Sequence, residues 1–521
     1  MFNSVSNLNN YKLMKNIIIK STIVGMAAMV LTTGCKKFLD QEVPGRLTEQ
    51  TFYKTDGDAQ QAVIGVYDLM QAHYNSSWVS MFMVKNMLSD ESNAGGSGPG
   101  DQEAYQVLDN FNHDADNAAV LGVWRLAYGT IYRANKVINN VTPENDLRKR
   151  LIAEAKVLRA YNYLDLVALW GEVPIITGDI APSQYQSVGR SKKEEVYALI
   201  AKDLTEAAND LPLKSNYSAA DKFRVSKGTA QALLGKAYLY QQKWAEAAAQ
   251  FETVITSNQY GLEASIGKAF SRSGEFGIES VFEVSYTNGR NYNWGNFPWD
   301  WQPESNIHIQ LIGPRSDFYT KAPTDSLIGG WGFMNPKAKL YNAYVAANDE
   351  NRRKNTVMSE AELKAAGGNW TSPNAWDYEG YFQRKYGTYL TQTSSSGADV
   401  AELNYGTNWR FIRFADVLLM AAEANYRAGQ EGKALTYLNR VRQRPGTNLP
   451  ALNVSGTALF QALVTERQLE LAFEGHRFID LVRWGLAAQE LGSLGYQAKH
   501  ALLPIPSQDI RTAGLAQNTG Y

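Results

Sequence analysis

One stretch of 35 residues constrains this chain more than any other feature. Between Val225 and Gln259, the residues Leu234, Gly235, Tyr238, Ala247 and Phe251 recur at intervals that put them on the facing sides of two consecutive helices. Gly235 and Ala247 are small enough for the helices to approach closely, while Tyr238 and Phe251 fill the space between them. A hairpin of this kind leaves an apolar flank uncovered, so a chain built from such units grows by stacking them side by side.

The five residues occupy the seventh, eighth, eleventh, twentieth and twenty-fourth places of a tetratricopeptide repeat. Gln231 and Gln259 stand where the full pattern has its opening Trp and closing Pro. A weaker copy runs from Phe411 to Arg444, with Ala422, Ala434 and Leu438 in corresponding places and Gly429 at the turn. The two copies are far apart, so something is inserted between them. Helical spacing also marks Ala59, Ala62, Val63, Val66, Tyr67 and Met70, and a buried helix from Arg148 to Trp170 that Gly171 and Pro174 should end. Asn93 to Gly100 reads as an exposed loop.

The insert, Gly261 to Trp409, is rich in Gly, Pro, Asn and aromatics. Its helical periodicity fades except at Lys337 to Ala346, and Ser280 to Tyr286 reads as a short strand. After Phe460 the chain returns to helix through Trp484 and ends in an extended LLPIP segment. The expected fold is mainly α: a tetratricopeptide-like scaffold with an irregular, loop-rich inserted subdomain, to which the family resemblance given below assigns ligand binding. Its parts are a leader (1–34), a tether (35–50), an N-terminal helical scaffold (51–260), the insert (261–409) and a C-terminal helical part (410–521).

The leader is basic at Met14-Lys15 and apolar from Ile17 to Leu31, with Lys20 inside the run, and residues 1–13 read as an extension upstream of a start at Met14. That is a secretory signal, too short and too charged for a membrane span. Thr32-Thr33-Gly34 precede Cys35, the only cysteine, in a pattern that resembles the lipobox of bacterial lipoproteins, although Thr32 stands where that pattern usually has Leu. The resemblance implies a diacylglyceryl anchor on Cys35. A single thiol excludes internal disulfides, four-thiolate zinc sites and iron–sulfur clusters. The net charge of −1, with no long basic run, gives no field to attract nucleic acid.

No HExxH, P-loop, GxSxG or Rossmann fingerprint is present, and the five histidines, His73, His113, His308, His476 and His500, are scattered. Glu470 and Glu474, one helical turn apart, could be taken for an acid/base pair. With Arg467 and Arg477 alongside, they read instead as structural charges, as do Arg159, Asp165, Arg413, Asp416 and Glu423. No cofactor is expected. Acidic residues such as Asp114 and Asp116 are available to a calcium ion, but no EF-hand spacing exists.

Five blocks, in order, carry a wider resemblance: CKKFLDQEVPGRLTEQTFYKTDGDAQQAVIGVYDLM; EAKVLRAYNYLDLVALWGEVPII; RFIRFADVLLMAAEANYRAG with LNRVRQRPG; ERQLELAFEGHRFIDLVRWG; and LLPIPSQDI before a QNTGY end. Together they resemble the SusD/RagB family. The resemblance implies a non-catalytic lipoprotein on the outer face of the outer membrane. It would capture glycans and pass them to a SusC-like TonB-dependent transporter, which it covers like a lid. The RagB branch makes peptides the alternative cargo, and a repeat scaffold with only protein partners is a third reading.

Sugar rings present C–H faces and hydroxyl rims, so a glycan site calls for flat aromatics beside Asn, Asp or Arg. Seven of the twelve tryptophans lie in the insert: Trp294, Trp299, Trp301, Trp331, Trp370, Trp376 and Trp409. About half of them should be core, Trp409 among these. The expected platform is Trp294, Trp299, Trp301 and Trp331, with polar contacts from Asn291, Asn293 and Asp300. Tyr74, Trp78, Asp90 and Asn93, around the first exposed loops where the family often contributes contacts, are secondary candidates. The transporter is expected on the helical side.

Overall fold

Thr55 closes a capping box: its hydroxyl accepts the Asp58 N–H at 3.1 Å, and the Asp58 carboxylate accepts the Thr55 N–H at 2.8 Å. That fixes the start of α1 (Asp56–Asn75), whose Ala59, Val63, Val66 and Met70 are fully buried, the face that the spacing predicts. The computed structural model describes Met14 and residues 52–521 apart from 77, 300 and 301, so Cys35 and the tether lie outside the described residues. Tyr53–Tyr521 forms one unit. No helix of the described residues is long and apolar enough to cross a membrane.

Two short helices, α2 (Met81–Met87) and α3 (Glu103–Asp109), precede α4 (Ala118–Asn140), which Asn117 caps. Then come α5 (Asp146–Trp170), α6 (Lys193–Asp210), α7 (Lys227–Tyr240) and α8 (Trp244–Thr256). The helix α5 ends where Gly171 takes φ +77°, as the sequence predicts. In the predicted hairpin, α7 and α8 pack so closely that a Cβ on Gly235 would lie 2.6 Å from Phe251 Cε1. Phe251 and Ala247 are fully buried and Tyr238 half-buried, so the phenylalanine does most of the filling.

The helices stack in the order α1, α4, α5, α6, α7, α8, and α8 then packs directly on α12 (Phe414–Arg427), which pairs with α13 (Glu431–Arg442). The two repeats recognised in the sequence are therefore neighbours in space, and the residues between them are looped out. That excursion holds α9 (Ile307–Ile312), α10 (Ala338–Ala346) and α11 (Glu350–Thr356). It is bracketed by β2 (Ser280–Val284) and β8 (Trp409–Arg413), which pair antiparallel, Val284 opposite Trp409 and Ser280 opposite Arg413. Residues Phe411–Arg413 are thus strand, not the start of the second repeat; α12 begins at Phe414.

The other strands also pair in twos, all antiparallel. These are β1 (Ser92–Gly95) with β4 (Phe333–Pro336), β3 (Tyr319–Thr320) with β6 (Asn369–Trp370), and β5 (Val357–Ser359) with β7 (Tyr381–Gln383). The final helical stretch is interrupted. Between α14 (Gly456–Leu471) and α15 (Arg477–Trp484), Phe473 and Gly475 adopt positive φ, and their N–H groups donate to Glu91 Oε2 at 2.9 Å and Asn86 Oδ1 at 3.2 Å. Buried acceptors on another segment out-compete the helix there. The LLPIP segment closes on α5, with Leu503 N–H donating to the Leu169 carbonyl at 2.7 Å and the Trp170 indole to the Pro504 carbonyl at 3.0 Å. Past it lies the C-terminal helix α16 (Ser507–Ala513).

Candidate functional site

The buried charges resolve first, because they exclude one kind of site. Glu470 and Glu474 do not form an isolated carboxylate pair. Arg413 on β8 donates to Glu470 Oε1 at 2.6 Å, to Glu279 at 2.7 Å and to Glu474 at 2.7 Å. Arg444 reaches Glu470 at 2.6 Å, Arg352 on α11 reaches it at 3.0 Å, and Lys385 reaches Glu474 at 2.8 Å. Burial by itself would raise the Glu470 pKa, but the guanidiniums of Arg444, Arg413 and Arg352 overcome it and hold the carboxyl well below the ordinary carboxylate range. A carboxylate so held cannot donate a proton near neutrality.

The partners differ from the ones the sequence suggests. Arg467 pairs with Asp416 and Asp480, and Arg477 pairs with Asp90. Glu474 lies in the break after α14 rather than on a helix, which is what turns it toward Arg413. These ion pairs join β8, α11, α14 and the segment after α13, so the charges fix how the insert and the C-terminal helices meet.

Four tryptophans gather elsewhere. Trp294 and Trp299 lie 6.0 Å apart with ring planes 10° from parallel; Trp299 and Trp78 are 6.3 Å apart at 14°. Trp331 follows at 5.3 Å from Trp78, tilted by 30°. Trp294 is 54% exposed, and Trp78, Trp299 and Trp331 are half-buried. Such rings pack on one another while part of their area still meets solvent. Trp301 and Asp300 lie outside the described residues.

The loop behind the platform is held by its own polar groups. Tyr292 is clamped by Asn404, whose Oδ1 accepts the Tyr292 N–H at 2.9 Å and whose Nδ2 donates to the Tyr292 carbonyl at 2.7 Å. Phe297 packs on Trp299 at 4.5 Å and on Tyr292 at 5.2 Å. Asn293 Oδ1 accepts the Gly295 N–H at 2.9 Å, and the Asn291 carbonyl accepts from Asn296 at 3.2 Å, with Asn291 at φ +59°. Asn293 therefore shapes the turn with its side-chain oxygen, and the exposed Asn291 shapes it with its backbone.

Two secondary candidates are not on exposed loops. Tyr74 is 3% exposed, its hydroxyl 2.7 Å from that of Tyr161 and 3.2 Å from Asp165. Asp90 is 1% exposed, bound by Arg477 at 2.8 Å and Lys339 at 2.7 Å; burial opposes ionisation, yet these cations bring its pKa down to about 2. Both are structural, because a buried charged or hydroxylated side chain needs partners and has found them. Asn93, half-buried on β1, donates to Glu379 Oε1 at 2.8 Å. Trp78, placed second by the sequence, stands at the centre of the ring set. Arg315, which no pattern singles out, lies beside Trp331 and donates to its carbonyl at 3.3 Å. Trp370 and Trp409 are core, at 4% and 1% exposure.

Asp114 and Asp116 make local contacts: Asp114 Oδ1 accepts the Asp116 N–H at 2.9 Å, and Asp116 accepts the Ser507 hydroxyl. Among the described residues no group of three or more His, Cys, Asp or Glu is placed to hold a metal ion.

A stack of helix hairpins that carries a loop-borne indole platform has the build of a binding protein. Residues 278–521 match the model of the SusD family, and residues 37–239 match a model described as starch-binding associating with outer membrane. A solved laminarin binding SusD-like protein is 33% identical, with a TM-score of 0.80 over 90% of this chain and 100% of that one. Surface glycan-binding protein A from Bacteroides thetaiotaomicron, solved with laminarihexaose, is 25% identical, with a TM-score of 0.75 over 89% and 100%. SusD-like protein P2 of Formosa agariphila is 26% identical over 96% of this chain and 100% of its own. The chain belongs to the SusD family, and the two solved members named here are described as binding proteins.

Proposed function

We propose that this protein is a glycan-binding lipoprotein of the outer membrane, that it holds its ligand on Trp78, Trp294, Trp299 and Trp331, and that it delivers the glycan to a SusC-like TonB-dependent transporter. The observation that carries the reading is the near-parallel run of partly exposed indoles. A pyranose lays its C–H face on an indole, and successive sugars along a chain need successive rings. The four rings follow one another at 5.3–6.3 Å, in step with successive residues of an oligosaccharide. Arg315 supplies a fixed cation at the Trp331 end for hydroxyls.

Laminarin is the first ligand to test, because two similar solved proteins carry laminarin or laminarihexaose in their descriptions. Titration of the protein lacking residues 1–35 with laminarin, beside a peptide panel, decides between glycan and peptide cargo. Peptide binding without glycan binding overturns the reading. A fully buried aromatic cluster would favour a scaffold with protein partners alone, and the rings here are partly exposed.

Cys35 anchors the body by its acyl chains, and the transporter docks on the helical side. A groove of about 950 Å³ there, between α4, the 174–188 connection and α16, is edged by the exposed Tyr132 and Tyr185. Amphipathic exposed tyrosines suit a protein interface. Co-purification from detergent-solubilised membranes tests the pair, and a lipoprotein recovered alone under mild conditions refutes it. Labelling with palmitate that is lost in Cys35→Ser tests the anchor.

A further inference from the structure

The platform is assembled from two parts of the chain, and one ring has an unusual mount. Trp78 sits at the tip of a turn that Ser76 and Val79 close, Ser76 N–H donating to the Val79 carbonyl at 3.0 Å and Val79 N–H to the Ser76 carbonyl at 2.5 Å. The turn puts Trp78 at φ +66°, a left-handed region that a residue with a side chain seldom enters. A strained residue persists only where its surroundings over-determine it.

Two neighbours do so. Tyr105 on α3, 1% exposed, donates its hydroxyl to the Trp78 carbonyl. On the other side, Val79 rests directly on α4 at Gly122. A Cβ at that glycine would lie 2.7 Å from both Val79 γ carbons and 3.3 Å from its Cβ. Rotating Val79 cannot clear the clash: two of the three positions on its Cβ are methyls and two face the helix, so at least one methyl always meets the added carbon. Helix α4 is gripped between α1 and α5, so the turn, not the helix, would have to move by about 1 Å to regain ordinary contact distance.

We propose that Gly122 and Tyr105 are positioning residues for glycan recognition, which hold Trp78 in register with Trp299 and Trp331. This rests on the reading of the indole run as the glycan platform. Gly122 acts by lacking a side chain: it is a seat for Val79, and Val79 sets the height of the adjacent indole. Tyr105 fixes the far side of the same peptide. The ring is therefore pre-organised, and a ligand does not bear the cost of ordering it.

The test uses laminarin titrations of the protein lacking residues 1–35. Gly122→Ala is expected to weaken binding about fivefold or more, and Val79→Ala in the same chain to restore it by removing the obstructing methyls. In a Trp78→Ala background, Gly122→Ala should change affinity no further, a result that general destabilisation would not give. Tyr105→Phe, which deletes one hydroxyl, should also weaken binding, and it serves if Gly122→Ala does not fold. A crystal structure of Gly122→Ala gives a ligand-free readout, with the Trp78 ring displaced relative to Trp299. The proposal is overturned if folded Gly122→Ala and Tyr105→Phe bind like the parent, if Gly122→Ala costs as much without Trp78 as with it, or if the ring does not move. If Trp78→Ala itself binds like the parent, or the parent binds no glycan, it is the platform reading that has failed, and the proposal falls with it.

Discussion

Removing Trp294 gives the cleanest measure of what one platform ring contributes, because its exposed side chain leaves no cavity behind. An indole offers up to about 250 Å². At 54% exposure roughly 135 Å² of Trp294 meets solvent, and one face of it, about 65 Å², is available to a sugar. At about 25 cal/mol per Å² this contributes about 1.6 kcal/mol, so Trp294→Ala should raise the dissociation constant for laminarin about tenfold. Ordering the loop on binding subtracts from the figure, and N–H or C–H contacts add to it. Isothermal titration measures the loss, and thermal melting should show no change, since Trp294 covers no core. Tyr132→Ala is the control: Tyr132 is 52% exposed on α4, ten residues along the helix from Gly122 and so about 15 Å away. A folded Trp294→Ala protein with parental affinity, or an equal loss in Tyr132→Ala, refutes the stacking argument.

Arg413→Met should lower stability by about 3 kcal/mol, read as a fall in melting temperature, because it removes the one cation that Glu279, Glu470 and Glu474 all share in the interior and leaves Arg444, Arg352 and Lys385 to balance three buried carboxylates. Gly235→Ala should cost about 1–3 kcal/mol by driving a methyl into Phe251 within the α7/α8 hairpin, and denaturant unfolding should show it. Glu91 is buried, which pushes its pKa up to about 8 from 4.5; the Phe473 N–H and the charges of Arg477 and Lys385 offset that only in part. The native state therefore holds a proton that the unfolded chain has released, so its contribution is complete below about pH 4.5 and is lost as pH rises through 8. Glu91→Gln should flatten the fall in melting temperature between pH 5 and 9, and an unchanged slope would rule Glu91 out as its source.

The helical scaffold was legible because its spacing is a physical necessity. Gly235 must be small where Phe251 crosses it, and Gly171 must turn where α5 stops. The buried nature of Trp409 and the strand at Ser280 followed from the same local reading. Long-range pairing was not legible. Arg413 finds Glu279 on one side and Glu470 and Glu474 on another, two distant segments, and no local pattern ties Arg477 to Asp90. The break after Leu471 was hidden for the same reason, since the acceptor that stabilises it, Glu91, lies 382 positions away. In the platform, composition pointed to Trp294, Trp299 and Trp331, whereas the central place of Trp78 depends on how the insert lies against the turn after α1. Tyr74 and Asp90 misled because neighbours on exposed-looking loops can still point inward.

The pairing of β2 with β8 means that the chain departs for its long excursion and comes home at a single doorway. Material between Tyr286 and Asn408 enters and leaves the stack of hairpins at two adjacent strand ends, but Arg352 and Lys385 within it also hold Glu470 and Glu474, and β4 pairs with β1, so another length of polypeptide in that place must supply these partners as well. Trp78 sets a further limit on such an exchange. It belongs to the foundation and not to the exchangeable part, so every replacement must present a surface that suits the same indole.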